Sequence, residues 1–195
     1  MSIPSNLLGG LKERYSEPQR YYHSWPHIDA LLRHFEDLQD QLNEPDLVLW
    51  ALYYHDAIYD PKAPDNEEQS AELLKAEAAE YLKPQDLQFA YDIIIGSKRH
   101  ELTGDHPEAR RNDMAVFLDI DLSILAAPSD VFDEYELNVR KEYDFVPEDA
   151  FRKGRGDILK TFLNRPRIYY SDVCFGRWER PARENLKRSI ERLSS

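Results

Sequence analysis

Between Pro45 and Pro61 the chain reads LVLWALYYHDAIY from Leu47 to Tyr59, and eleven of these thirteen residues are apolar or aromatic. As a helix such a run has no polar face, so neighbouring elements must cover it on nearly all sides. The chain therefore has to build layers around this segment. Inside the run stand His55 and Asp56, and an ionised carboxylate in that position costs several kcal/mol unless a cation or a set of donors compensates it.

The covering elements read as helices. Ser24 is a capping residue for a helix to about Leu42, with Pro26 in its first turn and Ile28, Leu31, Leu32, Phe35, Leu38 and Leu42 at helical spacing. Pro45 opens the apolar helix. Asp65 and Glu68 resemble a capping box for a helix to about Leu82, and a fourth helix follows Pro84. A fifth is expected from about Asp113 to Leu125, ended by Pro128. Three more follow in SDVFDEYELNVRKEYDF, PEDAFRKGRGDILKTFLN and RPARENLKRSIERL, the middle one weakened by Gly154 and Gly156. The expectation is an all-α bundle of about eight helices in one domain over 1–195. Its core spans about 20–128, and the helices of 129–195 pack on it. At 195 residues one domain is the better prior than two.

Several classes are set aside by composition. No apolar stretch approaches the roughly 20 residues a spanning helix needs, so no membrane association is expected. The N-terminus has no basic segment followed by an apolar one, so a cytoplasmic location is expected. Cys174 is the only cysteine, which excludes an internal disulfide and a cysteine-based zinc site. A net charge of −12 repels polyanions, so no nucleic-acid polymer is expected as a partner, whereas a small anionic substrate is compatible with a local reversal of field.

For an arbitrary buried His-Asp pair the plain reading is a salt bridge or hydrogen-bonded pair. Two further residues bear on it. His27 lies on the stripe of Leu31 and Phe35, and Asp121 shares a face with Met114, Phe117, Leu118, Ile124 and Leu125, so both point inward. Two imidazoles and two carboxylates from three helices, with no thiolate, suit a divalent metal ion, which also supplies the missing cation.

His27, the His55-Asp56 doublet and Asp121 in FLDIDLSIL resemble, in order and rough spacing, the H...HD...D signature of the HD superfamily of metal-dependent phosphohydrolases. RYSEPQRYYHSWPHI, YYHDAIYDPKAPDNEEQSAELL and FLDIDLSILAAP look like hallmarks of one bacterial branch of predicted HD phosphohydrolases, over most of the chain. The resemblance implies an HD-domain-like bundle and hydrolysis of a small phosphoester, a nucleotide among the candidates, by water activated on a divalent ion (Mn, Co, Ni, Mg, Zn or Fe). It implies His27, His55, Asp56 and Asp121 as ligands. His23 competes with His27 but precedes the Ser24 cap, and Asp119 competes with Asp121 but stands first in the family's D-x-D pattern, with a supporting position as its alternative.

Asp56 and His100, in GSKRHE, are the candidate catalytic groups. His100 reads equally as a solvated loop histidine. His106 reads as a surface residue and His34 as structural or solvated. For substrate contacts the candidates are Glu67, raised by the resemblance, and the cations Arg20, Lys98, Arg99, Arg140, Arg152 and Arg155, any one of which could instead form an exposed ion pair. Tyr21, Tyr22, Tyr53, Tyr54 and Tyr59 read as core and rim packing, with stacking on a base open to one of them. Two alternatives stay open. An HD-fold di-iron oxygenase would need further histidine ligands, for which only His100 and His106 qualify. A noncatalytic ligand-binding or regulatory module would keep the metal as a structural element. A homo-oligomer is compatible with either.

Overall fold

The computed structural model describes residues 3–194. Among them there is no strand, and nine α-helices follow one another: α1 (Ser5–Arg14), α2 (Trp25–Leu38), α3 (Pro45–Tyr54), α4 (Asn66–Ala78), α5 (Pro84–Ser97), α6 (Glu108–Asp121), α7 (Ser129–Glu142), α8 (Glu148–Leu163) and α9 (Asp172–Ser194). Short 3₁₀ turns at Gln39–Gln41 and Leu122–Ala126 extend α2 and α6. Among the described residues no helix is long and apolar enough to cross a membrane.

The apolar run behaves as its composition dictates. α3 packs against α2, α4, α5 and α6, and Val48, Trp50, Ala51, Leu52 and Tyr54 have no accessible surface. The 3₁₀ turn after α6 is the junction to the C-terminal part, touching α7 and α9, while α8 packs on α9.

Several boundaries differ from expectation. α3 stops at Tyr54, so His55 is its C-cap and Asp56 lies in the following turn. That turn is held from outside: the Ser70 hydroxyl accepts the Ile58 N–H, and Asn66 pairs with the backbone of Asp60. α1 was not anticipated. Gly9 and Gly10 lower its helix propensity, and it is secured by burial of Leu11 and of Tyr15 just beyond it. α4 ends at Ala78 rather than near Leu82, and α6 begins at Glu108 rather than Asp113. Neither Ser24 nor Asp65 makes a side-chain cap bond, although each occupies the N-cap position. Glu68 turns instead to Lys98, at 2.6 Å. Gly154 and Gly156 sit inside an uninterrupted α8.

α9 was expected to begin beside Pro181, but it starts at Asp172 and runs through that proline. Its first turns are tied down by Asp119 of α6, whose carboxylate accepts the N–H groups of Tyr170 and Ser171 and the Ser171 hydroxyl at 2.6–2.8 Å. Burial pushes the Asp119 carboxyl up to about 6, against those bonds.

Candidate metal centre

Three elements bring the inward polar groups to one point. His27 comes from the first turn of α2, His55 from the C-cap of α3 and Asp56 from the turn after it, and Asp121 from the last residue of α6. His27 Nε2 and His55 Nε2 face each other at 3.3 Å. Asp121 Oδ1 lies 3.7 Å from the first and 3.5 Å from the second. One ligand atom from each of His27, His55 and Asp121 falls within 4.8 Å of the others, so this cluster could hold a metal ion. Asp56 Oδ2 stands beside it, 3.1 Å from His55 Nε2 and 3.8 Å from His27 Nε2.

The donor chemistry fits a cation. The Nδ1–H of His55 donates to the Leu52 carbonyl at 2.9 Å, which leaves Nε2 as the lone-pair nitrogen of the neutral ring. Two imidazole nitrogens 3.3 Å apart cannot both present lone pairs unless something positive lies between or beside them. Burial works against a charged His55 ring, but the Asp56 and Asp121 carboxylates outweigh it and raise its pKa. Burial and the neighbouring His55 charge push His27 down to about 4. For Asp56 and Asp121 burial opposes ionisation, yet His55 holds both below the usual carboxylate range. Two carboxylates held below their usual range beside two imidazoles, one of which disfavours charge, form a site that a dication can take over.

His100 joins this cluster, its Nε2 at 3.0 Å from Asp121 Oδ2. Its backbone lies in the left-handed region at φ 50°, costly for a residue with a side chain. The turn is held there by Arg165 and the Tyr170 hydroxyl, both donating to the His100 carbonyl. Gly96 makes room for the turn, since a Cβ there would lie 2.9 Å from the Glu101 oxygen.

The cluster opens into a cavity of about 640 Å³, whose lining includes Glu67, Lys98, Arg99 and Arg155 as well as His27, His55, Asp56, His100 and Asp121. The other candidate cations lie elsewhere. Arg20 is buried behind the doublet, where it donates to the carbonyls of His23, Asp56 and Ala57 at 2.7–3.0 Å and to Glu17. Its role is to hold the turn. Arg140 is committed to Glu148 and the carbonyls of Tyr143 and Val146, and Arg152 to those of Arg192 and Leu193. Asp119 points away from the cluster to α9. His106 is no surface residue: its Nε2 lies 3.1 Å from Asp92 and its ring packs on Phe89. His34 packs on Trp178. Cys174 is buried, with its thiol pushed up to about 12 by that burial, which fits a passive role.

Sequence reasoning missed a second arrangement at the cavity wall. Glu142, at the end of α7, is 4% exposed. Its Oε1 accepts the N–H groups of Tyr21, Tyr22 and His23, and its Oε2 accepts the Tyr59 hydroxyl and lies 2.7 Å from His23 Nδ1. The His23 ring is stacked on Tyr59 at 4.2 Å and lines the cavity. Burial opposes its charged form, but Asp56 and Glu142 raise its pKa, while burial's opposite pull on Glu142 is overcome by His23, which lowers that carboxyl to about 2. No protein-family model, curated protein or solved structure matches the chain.

Proposed function

We propose that the chain is a metal-dependent hydrolase of a small phosphoester, of the HD type that its motifs resemble. The observation that carries this reading is the convergence of His27, His55 and Asp121, with Asp56 beside them, at the floor of a cavity large enough for an organic ligand. A divalent ion held there would polarise a phosphoryl oxygen and make a water more acidic.

The chain's own groups supply the rest. Hydrolysis forms a bond from water oxygen to phosphorus and breaks the bond from phosphorus to the ester oxygen, which must leave with a proton. His23 is placed to give that proton from Nε2, because its Nδ1 is engaged by Glu142 and its ring edge borders the cavity. His100 orients Asp121 through their 3.0 Å bond. Arg99, exposed and lining the cavity, offers a guanidinium to a phosphoryl oxygen. Lys98 is a weaker candidate, since its ammonium is already bound by Glu68 and the Pro64 carbonyl.

The oxygenase reading gains nothing from the geometry, as His106 turns to Asp92 and leaves His100 as the one additional histidine candidate. The test is a panel of phosphomonoesters and diesters with manganese, cobalt, nickel or magnesium, run on the protein and on Asp56→Ala. Metal-dependent turnover that falls at least about a hundredfold in the variant supports the reading. Absence of turnover across the panel, or equal rates in the variant, refutes it.

A further inference from the structure

The cavity is unevenly lined, and its lining bears on which phosphoester it takes. A volume of about 640 Å³ lies in the range of about 300–1,000 Å³ that encloses a drug-sized molecule, far more than one phosphoryl group fills. The wall formed by the turn after Asp121, α7 and α8 is mostly apolar, and of its polar side chains Arg155 and Tyr135 bond each other while the Thr161 hydroxyl donates to the Asp157 carbonyl. Leu122, Leu125, Val139 and Leu159 are all buried there, with Phe151 and Phe162 beside them.

The cations of the cavity are largely engaged. Arg155 is held by Glu136 and the Tyr135 hydroxyl, Lys98 by Glu68, and Arg165 by the carbonyls of Arg99 and His100. Among the described residues Arg99 alone of these four shows no partner, and the carboxylates of Glu67 and Glu101 also face the cavity. Beyond the metal ligands and His23, a di- or triphosphate would meet one uncommitted guanidinium and two carboxylates. A nucleoside would lie on a wall whose Arg155, Tyr135 and Thr161 groups are already bonded within the protein, so most polar atoms of its base edge would go unpaired.

We propose, resting on the hydrolase reading above, that the substrate is a phosphoester carrying one phosphoryl group and a bulky apolar ester group, which lies along the α7–α8 wall. The phosphoryl end sits at the metal ligands and Arg99. The apolar end is enclosed by the leucine and phenylalanine side chains.

Two measurements test this. In the first, kcat/KM is compared for n-alkyl phosphates of increasing chain length, whose leaving groups differ little in basicity, and for nucleoside mono- and triphosphates. The expected result is a rise of about three- to fourfold per methylene until the wall is covered, with both nucleotide classes below the octyl ester. In the second, the melting temperature of manganese-loaded protein is followed with methyl- and n-octylphosphonate, which cannot be hydrolysed. Stabilisation is expected from the octyl compound, weakened in Ile158→Asp, a substitution at a half-exposed residue of the same wall. Octylphosphonate binding without turnover of any ester refutes the hydrolase reading and keeps the ligand class. Turnover that is flat or falling with chain length, nucleotides preferred over the octyl ester, or equal protection by both phosphonates overturns the proposal.

Discussion

Removing the Arg20 side chain tests whether the doublet is held from behind. Its side chain has no exposed surface, and its guanidinium donates to three carbonyls, those of His23, Asp56 and Ala57. Arg20→Ala leaves these acceptors without their donor in a space that water enters poorly. A hydrogen bond from a charged donor contributes roughly 1.5–3 kcal/mol, so three lost bonds, discounted for relaxation and for the exposed Glu17 partner, give about 4 kcal/mol. For a chain of this length that corresponds to a fall of roughly 8–16 °C in melting temperature. The assay is urea unfolding with thermal melts as a check, with Arg99→Ala as an exposed control expected within about 0.5 kcal/mol of the parent. Metal affinity should fall as well, because the Asp56 and Ala57 carbonyls fix the turn beside the ligands. A loss under 1 kcal/mol with unchanged metal affinity would refute the reasoning and return Arg20 to the substrate candidates.

Other substitutions probe separate parts of the site. Glu142→Gln should flatten the acid limb of stability in chelator-treated protein. With its folded pKa depressed to about 2 from 4.5, Glu142 contributes stability above about pH 4.5 that is lost as pH falls toward 2. His23, raised from 6.5, contributes below that value and loses its contribution as pH rises through the folded pKa. Urea midpoints from pH 2 to 8 read both limbs, and an acid limb unchanged by the substitution contradicts the pairing. Gly96→Ala, with its Cβ driven against the Glu101 oxygen, should cost about 1–3 kcal/mol in urea unfolding and lower turnover by displacing the His100 turn. His100→Asn, which tolerates the left-handed backbone, should stay within about 1 kcal/mol in stability while turnover drops at least tenfold. A rate equal to the parent's removes His100 from the mechanism.

The sequence was legible where side-chain direction follows from periodicity. His27 and Asp121 lie on apolar helical stripes, and the structure turns both toward His55. Asp119, two residues before Asp121, accordingly points elsewhere. The end of α3 was not legible, because the apolar run continues through Tyr59 and the turn is held by Ser70, Asn66 and Arg20 from other segments. Arg20 looked like a substrate cation for the same reason, since two of its carbonyl partners lie 36 and 37 residues away. Glu142 sits in VRKEYDF beside Arg140, Lys141 and Asp144, and only the folded chain shows it collecting donors from residues 21–23. The N-terminal helix α1 was hidden by its paired glycines.

The proposed function rests on a divalent ion bound by His27, His55 and Asp121. Calorimetric titration of manganese or cobalt into chelator-treated protein, beside His55→Gln and Asp121→Asn, tests it most directly. Saturable binding is expected in the parent, with stabilisation of about 2.7 kcal/mol at a hundredfold excess of free ion over Kd and loss of both in each variant. An absence of binding in the parent, or undiminished binding in the two variants, would contradict it.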